Sequence, residues 1–66
     1  MAQDMVDKIM AYEQGDLSAN GTLDLFAELV KNGSAWSLQG HYGRTAQAFI
    51  DRGYISKQGK VLQYLE

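Results

Sequence analysis

This 66-residue chain predicts an all-α fold: a compact bundle of three main helices plus one short helix, with a short C-terminal arm or hairpin. Three observations carry that expectation. Apolar residues recur at helical spacing, most cleanly at Tyr42, Thr45, Ala46, Phe49 and Ile50, the i, i+3, i+4, i+7, i+8 pattern of one buried face. Seven glycines and no proline punctuate the chain, dividing it into short helical units. There are no cysteines, so no disulfide can staple it and a zinc site would lack thiolate ligands. A chain this short has a small core, and its stability rests on packing or on association. Residues 1–66 read as a single domain, with a core over about 4–55 and a tail over 56–66.

The first helix is expected over 4–14. Met5, Val6, Ile9 and Met10 share one face, Asp4 stands where a cap belongs, and Gly15 ends the unit. Leu17-Ser18 is a hydrophobic residue followed by an N-cap, which opens the second helix. Leu23, Phe26, Leu29 and Val30 form its apolar stripe, Lys31 complements its negative end and Gly33 caps it. Gly21 weakens the first turn by about 1 kcal/mol relative to Ala, which puts the start as late as Thr22. Ser34 caps a short helix over 35–39, where Trp36 is expected to be mostly buried against Leu29, Val30, Phe49 and Ile50. The last helix is expected over 41–52, closed by Gly53 with Tyr54 in hydrophobic contact behind it. In the tail, Tyr54-Ile55 and Val61-Leu62 flank a loop containing Gly59, which fits a small hairpin, an extended arm or a short closing helix through Leu65.

Charge is segregated along the chain. Residues 1–30 carry six acids (Asp4, Asp7, Glu13, Asp16, Asp24, Glu28) against Lys8, a net −5. Residues 31–66 carry five bases (Lys31, Arg44, Arg52, Lys57, Lys60) against Asp51 and Glu66, a net +3. Such a dipole orients a partner in encounter or favours head-to-tail self-association, so a homo-oligomer is one expectation. The overall charge of −2 argues for weak or no nucleic-acid binding. No apolar run approaches the ~20 residues needed to span a bilayer. Met1-Ala2-Gln3-Asp4 lacks the basic start of a signal peptide, so a soluble intracellular protein is expected.

The densest stretch is 35–46. It holds the only Trp, the only His, two glycines three residues apart and one of the arginines. Gly40 and Gly43 imply a tight turn opening onto a helix, with Trp36 and Tyr42 bracing the turn and Gln39, His41, Arg44, Gln47 and Arg52 displayed for partner binding. Tyr42 begins the apolar stripe and is expected to be at least half buried. Catalysis has little support: His41 has no Cys to pair with, and Asp51 lies about 15 Å further along the same helix. A triad drawn with Ser34 or Ser37 would need geometry that sequence does not show. One His and scattered acids give no metal site, and no cofactor is expected. Two further readings use the same stretch. The helix start and Arg44 suit a phosphate-bearing ligand, although the Gly-Lys-Ser/Thr ending of a Walker loop is absent. A short helix, a turn and an amphipathic helix also suit a helix-turn-helix presenting Arg44, Gln47 and Arg52 to DNA, against which stand Asp51 and the acidic charge. Arg44 paired internally with an acid from the first half is the structural alternative to all of these.

Phe26-Ala27-Glu28-Leu29-Val30, Gly33-Ser34-Ala35-Trp36-Ser37-Leu38-Gln39-Gly40-His41-Tyr42-Gly43-Arg44-Thr45-Ala46, Phe49-Ile50 and Gly53-Tyr54-Ile55 together resemble a family of short proteins encoded by tailed bacteriophages. Tyr12-Glu13-Gln14-Gly15-Asp16-Leu17 matches the family's Tyr-Glu-x-Gly-(Asp/Glu)-Leu start, and the resemblance covers about residues 9–56. Gly21 departs from the polar residue expected there. The resemblance carries no enzymatic activity. It implies a phage accessory protein in the host cytoplasm that binds and redirects a host bacterial protein, such as RNA polymerase or a defence complex.

Overall fold

The structure, a computed structural model, describes residues 5–64. Asp4, expected to cap the first helix, lies outside them, as do Leu65 and Glu66. In chain order the elements are α1 (Met5–Glu13), α2 (Ala19–Asn32), a single 3-10 turn (Ser34–Trp36) and α3 (Gly40–Asp51). A hairpin-like tail follows, and no extended strand occurs among the described residues. The fold is therefore the small all-α bundle that the periodicity implies.

Helix ends follow local chemistry. At the start of α2 the Ser18 hydroxyl accepts from the Gly21 N–H at 3.0 Å, so the helix begins at Ala19, earlier than Gly21's propensity suggests. A Cβ at Gly21 would sit 3.1 Å from the Leu17 side chain and 3.1 Å from Ser18 Oγ. Gly21 thus leaves room for Leu17 to fold back over the cap, which outweighs its cost in propensity. Both α1 and α3 end in the paired bonds of a left-handed glycine cap. After α3 the Gly53 N–H reaches Ile50 O at 3.1 Å and the Tyr54 N–H reaches Phe49 O at 3.0 Å. The Tyr54 ring then meets Phe49 edge-on at 6.4 Å, the apolar contact that accompanies such caps.

The core is built on α2. Leu23, Leu25, Phe26 and Leu29 are fully buried, joined by Ala35, Tyr42, Ala46 and Ile55. Phe26 is its hub: Tyr12 of α1 lies 5.2 Å away edge-on, and Tyr42 and Phe49 of α3 lie at 5.9 and 5.5 Å. Aromatic pairs at such spacings add about 0.5–1.5 kcal/mol each beyond burial. Helix α1 is the least embedded element. Met5, Ile9 and Tyr12 pack on the core, but the helix has no fully buried residue. Val6 and Met10, expected on the same buried face, are instead exposed, because only one side of this short helix reaches α2.

Trp36 is the main correction to the sequence reading. It is not buried but 52% exposed. The expected helix over 35–39 is a three-residue 3-10 turn, and within it Ala35 takes the core position at 0% exposure. The neighbouring Trp36 side chain is consequently turned outward and rests on Gly43. A Cβ at Gly43 would lie 3.4 Å from Ala35 O and 3.6 Å from the Trp36 ring. The missing side chain brings α3 close to the 3-10 turn, and Phe26 and Tyr42 fill the centre that Trp36 does not.

The tail is a docked hairpin turn. Ile55 and Val61 form an isolated antiparallel bridge, with Ser56 N–H donating to Lys60 O at 2.8 Å and Leu62 N–H to Tyr54 O at 2.7 Å. Ile55 is buried in the core, and the Tyr64 hydroxyl donates to Asp24 of α2 at 2.6 Å. Gly59, at φ +89°, lies against the α2 backbone.

Candidate functional site

The first turn of α3 is assembled from backbone economy on one side and unpaired chemistry on the other. Gln39 is the N-cap and its side chain makes no capping bond. Gly40 and Gly43 lie one turn apart and leave a low floor of bare backbone. The Trp36 indole covers one edge of that floor at Gly43, and the Arg44 guanidinium folds back over the other, 3.5 Å from where a Gly40 Cβ would stand. Leu38, also exposed, extends the apolar edge. Gln47 follows on the next turn of the same face.

Tyr42 holds this turn from beneath. It is 2% exposed, and its hydroxyl donates to Glu13 Oε2 at 2.8 Å, tying the start of α3 to the end of α1. Burial, reinforced by that hydrogen bond, pushes its phenol up to about 12. Removal from water disfavours the phenolate, and the carboxylate disfavours it further. The His41 ring lies beside Tyr42 at 4.2 Å between centroids.

The remaining predicted residues divide by their partners. The Arg44 side chain is exposed and makes no ion pair or hydrogen bond with any described residue, so internal pairing with the acidic half is not seen there. Gln47 donates to Asp51 Oδ1 at 2.9 Å, which occupies that carboxylate within the helix and places an acid on the face a DNA-reading helix would present. Arg52, the C-cap residue of α3, is exposed and lies at the far end of the helix from Gln39. Thus Gln39, His41, Arg44 and Gln47 gather at the start of α3 next to the turn that carries Trp36, and Arg52 follows about one and a half turns beyond Gln47. Sequence reasoning left Trp36 and Leu38 out of the exposed surface. The available signal was Ala35, a small residue able to take the single core position of a tight turn.

Nothing in this arrangement pairs a nucleophile with a base. Asp51 bonds to Gln47, and the His41 imidazole makes no hydrogen bond with a described residue. Among the described residues no three His, Cys, Asp or Glu side chains cluster as a metal would require, and no helix is long and apolar enough to cross a membrane. A separate shallow groove of about 390 Å³ lies between α2 and the tail, lined by Lys8, Asp24, Glu28, Lys31, Lys60 and Tyr64 among others. It is open and of mixed charge, with Lys8 already 3.5 Å from Glu28.

The fold and this surface define a small helical domain that presents an aromatic and a guanidinium beside a bare helix start. The chain belongs to the family described as Domain of unknown function (DUF7417), whose model matches residues 1–66. No curated protein and no solved structure matches it.

Proposed function

We propose that this protein is a non-enzymatic phage accessory protein that binds a host bacterial protein in the host cytoplasm and modulates it, through the surface formed by Trp36, Leu38, Gln39, Gly40, His41 and Arg44. The single observation that carries this is Trp36 standing half out of a 66-residue fold beside an arginine whose side chain has no partner among the described residues. Leaving half of a large aromatic in water gives up much of the stabilisation its burial would bring, whereas Trp and Arg are the residue types that dominate binding energy at protein interfaces. A planar, multi-donor guanidinium suits a carboxylate, so the partner surface is acidic. The resemblance of the 33–46 segment to tailed-phage proteins supports the host setting, with RNA polymerase or a defence complex as example targets.

The test is co-purification from a bacterial lysate with the wild type and with Arg44→Glu and Trp36→Gln, each checked for unchanged helical circular dichroism. A partner retained by the wild type and lost with both variants supports the reading. A partner that both variants retain overturns it. Tight sequence-selective binding to duplex DNA, steeply salt-dependent and lost with Gln47→Ala, would replace it with a DNA-binding regulator.

A further inference from the structure

The molecule exposes a second apolar strip, on α1, where Val6 and Met10 are 63% and 50% exposed. They lie one helical turn apart, and helical spacing puts Asp7 on one side of them and Glu13 on the other. The strip is therefore aliphatic with acidic margins. The Trp36 surface is its complement: an indole and a leucine with Arg44 at the margin, in the basic half of the chain. Thioether–aromatic contact and opposite charge both favour their meeting.

One molecule does not bring them together. Helix α1 packs against α2, whereas the 3-10 turn packs against α2 and α3, and its backbone does not approach that of α1. Only a second copy can seat one strip on the other. We infer that this protein self-associates head to tail, the Val6–Met10 strip of one copy docking on the Trp36–Arg44 surface of the next. The contact is heterologous, so it leaves one free face of each kind at the ends of every open oligomer, which grows as a chain or closes as a ring. It is also weak. A stable interface takes about 800 Å² from each partner, and two faces of that size would consume roughly a third of the 4347 Å² surface. Smaller faces place assembly at roughly 10 µM to 1 mM. The host partner proposed above would compete for the Trp36 surface, so self-association covers that surface only where the protein is concentrated and no partner is present. The inference shares the surface with that reading but not the partner.

Sedimentation velocity of purified protein tests it without any lysate, so its outcome is independent of host binding. The wild type is expected to sediment faster as concentration rises over that range, and each exposed charged pair lost at high salt should weaken assembly roughly two- to fivefold. Val6→Gln with Met10→Gln removes one face, and Trp36→Gln with Arg44→Glu removes the other. Each double variant alone should remain monomeric, and their equimolar mixture should form a dimer and nothing larger, because each retains the face that the other lacks. Dilution of the wild type should also move amide resonances of residues 5–13 and 34–44 and few others, a readout that needs no variant. A wild type monomeric throughout, a mixture that stays monomeric, or a double variant that still assembles alone would each overturn the inference.

Discussion

Gly59→Ala should be the most damaging of the glycine substitutions, for a reason visible only in three dimensions. A Cβ there would lie 2.5 Å from Ala27 O, 2.5 Å from Lys31 N and 2.6 Å from Lys31 Cβ. Two of these are backbone atoms of α2, fixed by the helix, so no side chain can swing aside. Gly59 also holds φ +89°, where an L side chain is strained by about 1–2 kcal/mol. Overpacking adds about 1–3 kcal/mol. The tail can escape by lifting off α2, but that uncovers Ile55, now 1% exposed, at about 1.5–3 kcal/mol. The cheaper route governs, so the expected loss is about 2–3 kcal/mol, or roughly 10–20 °C in Tm for a domain of this size. Gly15→Ala is the control. Gly15 sits at φ +79° with nothing within 4 Å of its missing Cβ, so it carries the backbone strain alone, about 1 kcal/mol and roughly 4–8 °C. Thermal melts followed by circular dichroism compare the two, and hydrogen exchange at the Leu62 amide, bonded to Tyr54 O at 2.7 Å, reports whether the tail has lifted. Equal melting temperatures for the two variants, with Leu62 still protected, would refute the close approach.

Three other outcomes follow from the packing. Tyr42→Phe removes the bond to Glu13 and should cost about 1 kcal/mol at neutral pH. Because the folded phenol titrates at about 12 and the unfolded one near 10, its contribution is complete below pH 10 and lost as pH rises through 12; denaturation at stepped alkaline pH should show the gap between wild type and variant closing above pH 10, and a constant gap would contradict this. The hydroxyl of Tyr64, raised in the same direction chiefly by its bond to Asp24, leaves the variant a residual alkaline slope. Trp36→Ala should cost about 1–2 kcal/mol, below the ~3–5 of a buried tryptophan, and the folded wild type should show red-shifted, readily quenched emission. Leu29→Ala, at a fully buried position of α2, should cost about 2–5 kcal/mol and unfold much of the population at 37 °C, measured by urea titration.

Local chemistry made most of the scaffold legible in advance. Ser18 before an apolar run, glycines at 15, 33 and 53, and the Tyr42–Ile50 stripe mark helix ends and faces through short-range bonds that neighbouring residues alone decide. The burial of Tyr42 follows from the same periodicity. The tight turn expected at Gly40 and Gly43 does not form: both glycines lie in the first turn of α3, and neither holds a positive φ. Which way Trp36 points does not follow from periodicity. A 3-10 turn of three residues has one inward position, and whether Ala35 or Trp36 fills it depends on how closely α3 approaches, which Gly43 settles across seven residues of chain. The exposure of Val6 and Met10 depends likewise on how far α2 covers α1. The docking of Gly59 on α2, about thirty residues away in sequence, is invisible to any local pattern. Sequence by itself determined where the three main helices end and which side of α2 and α3 is apolar, because those are contacts within a few residues. Tertiary structure decided which apolar residues were left over at the surface, because a small core has room for only some of them and long-range packing chooses among equals.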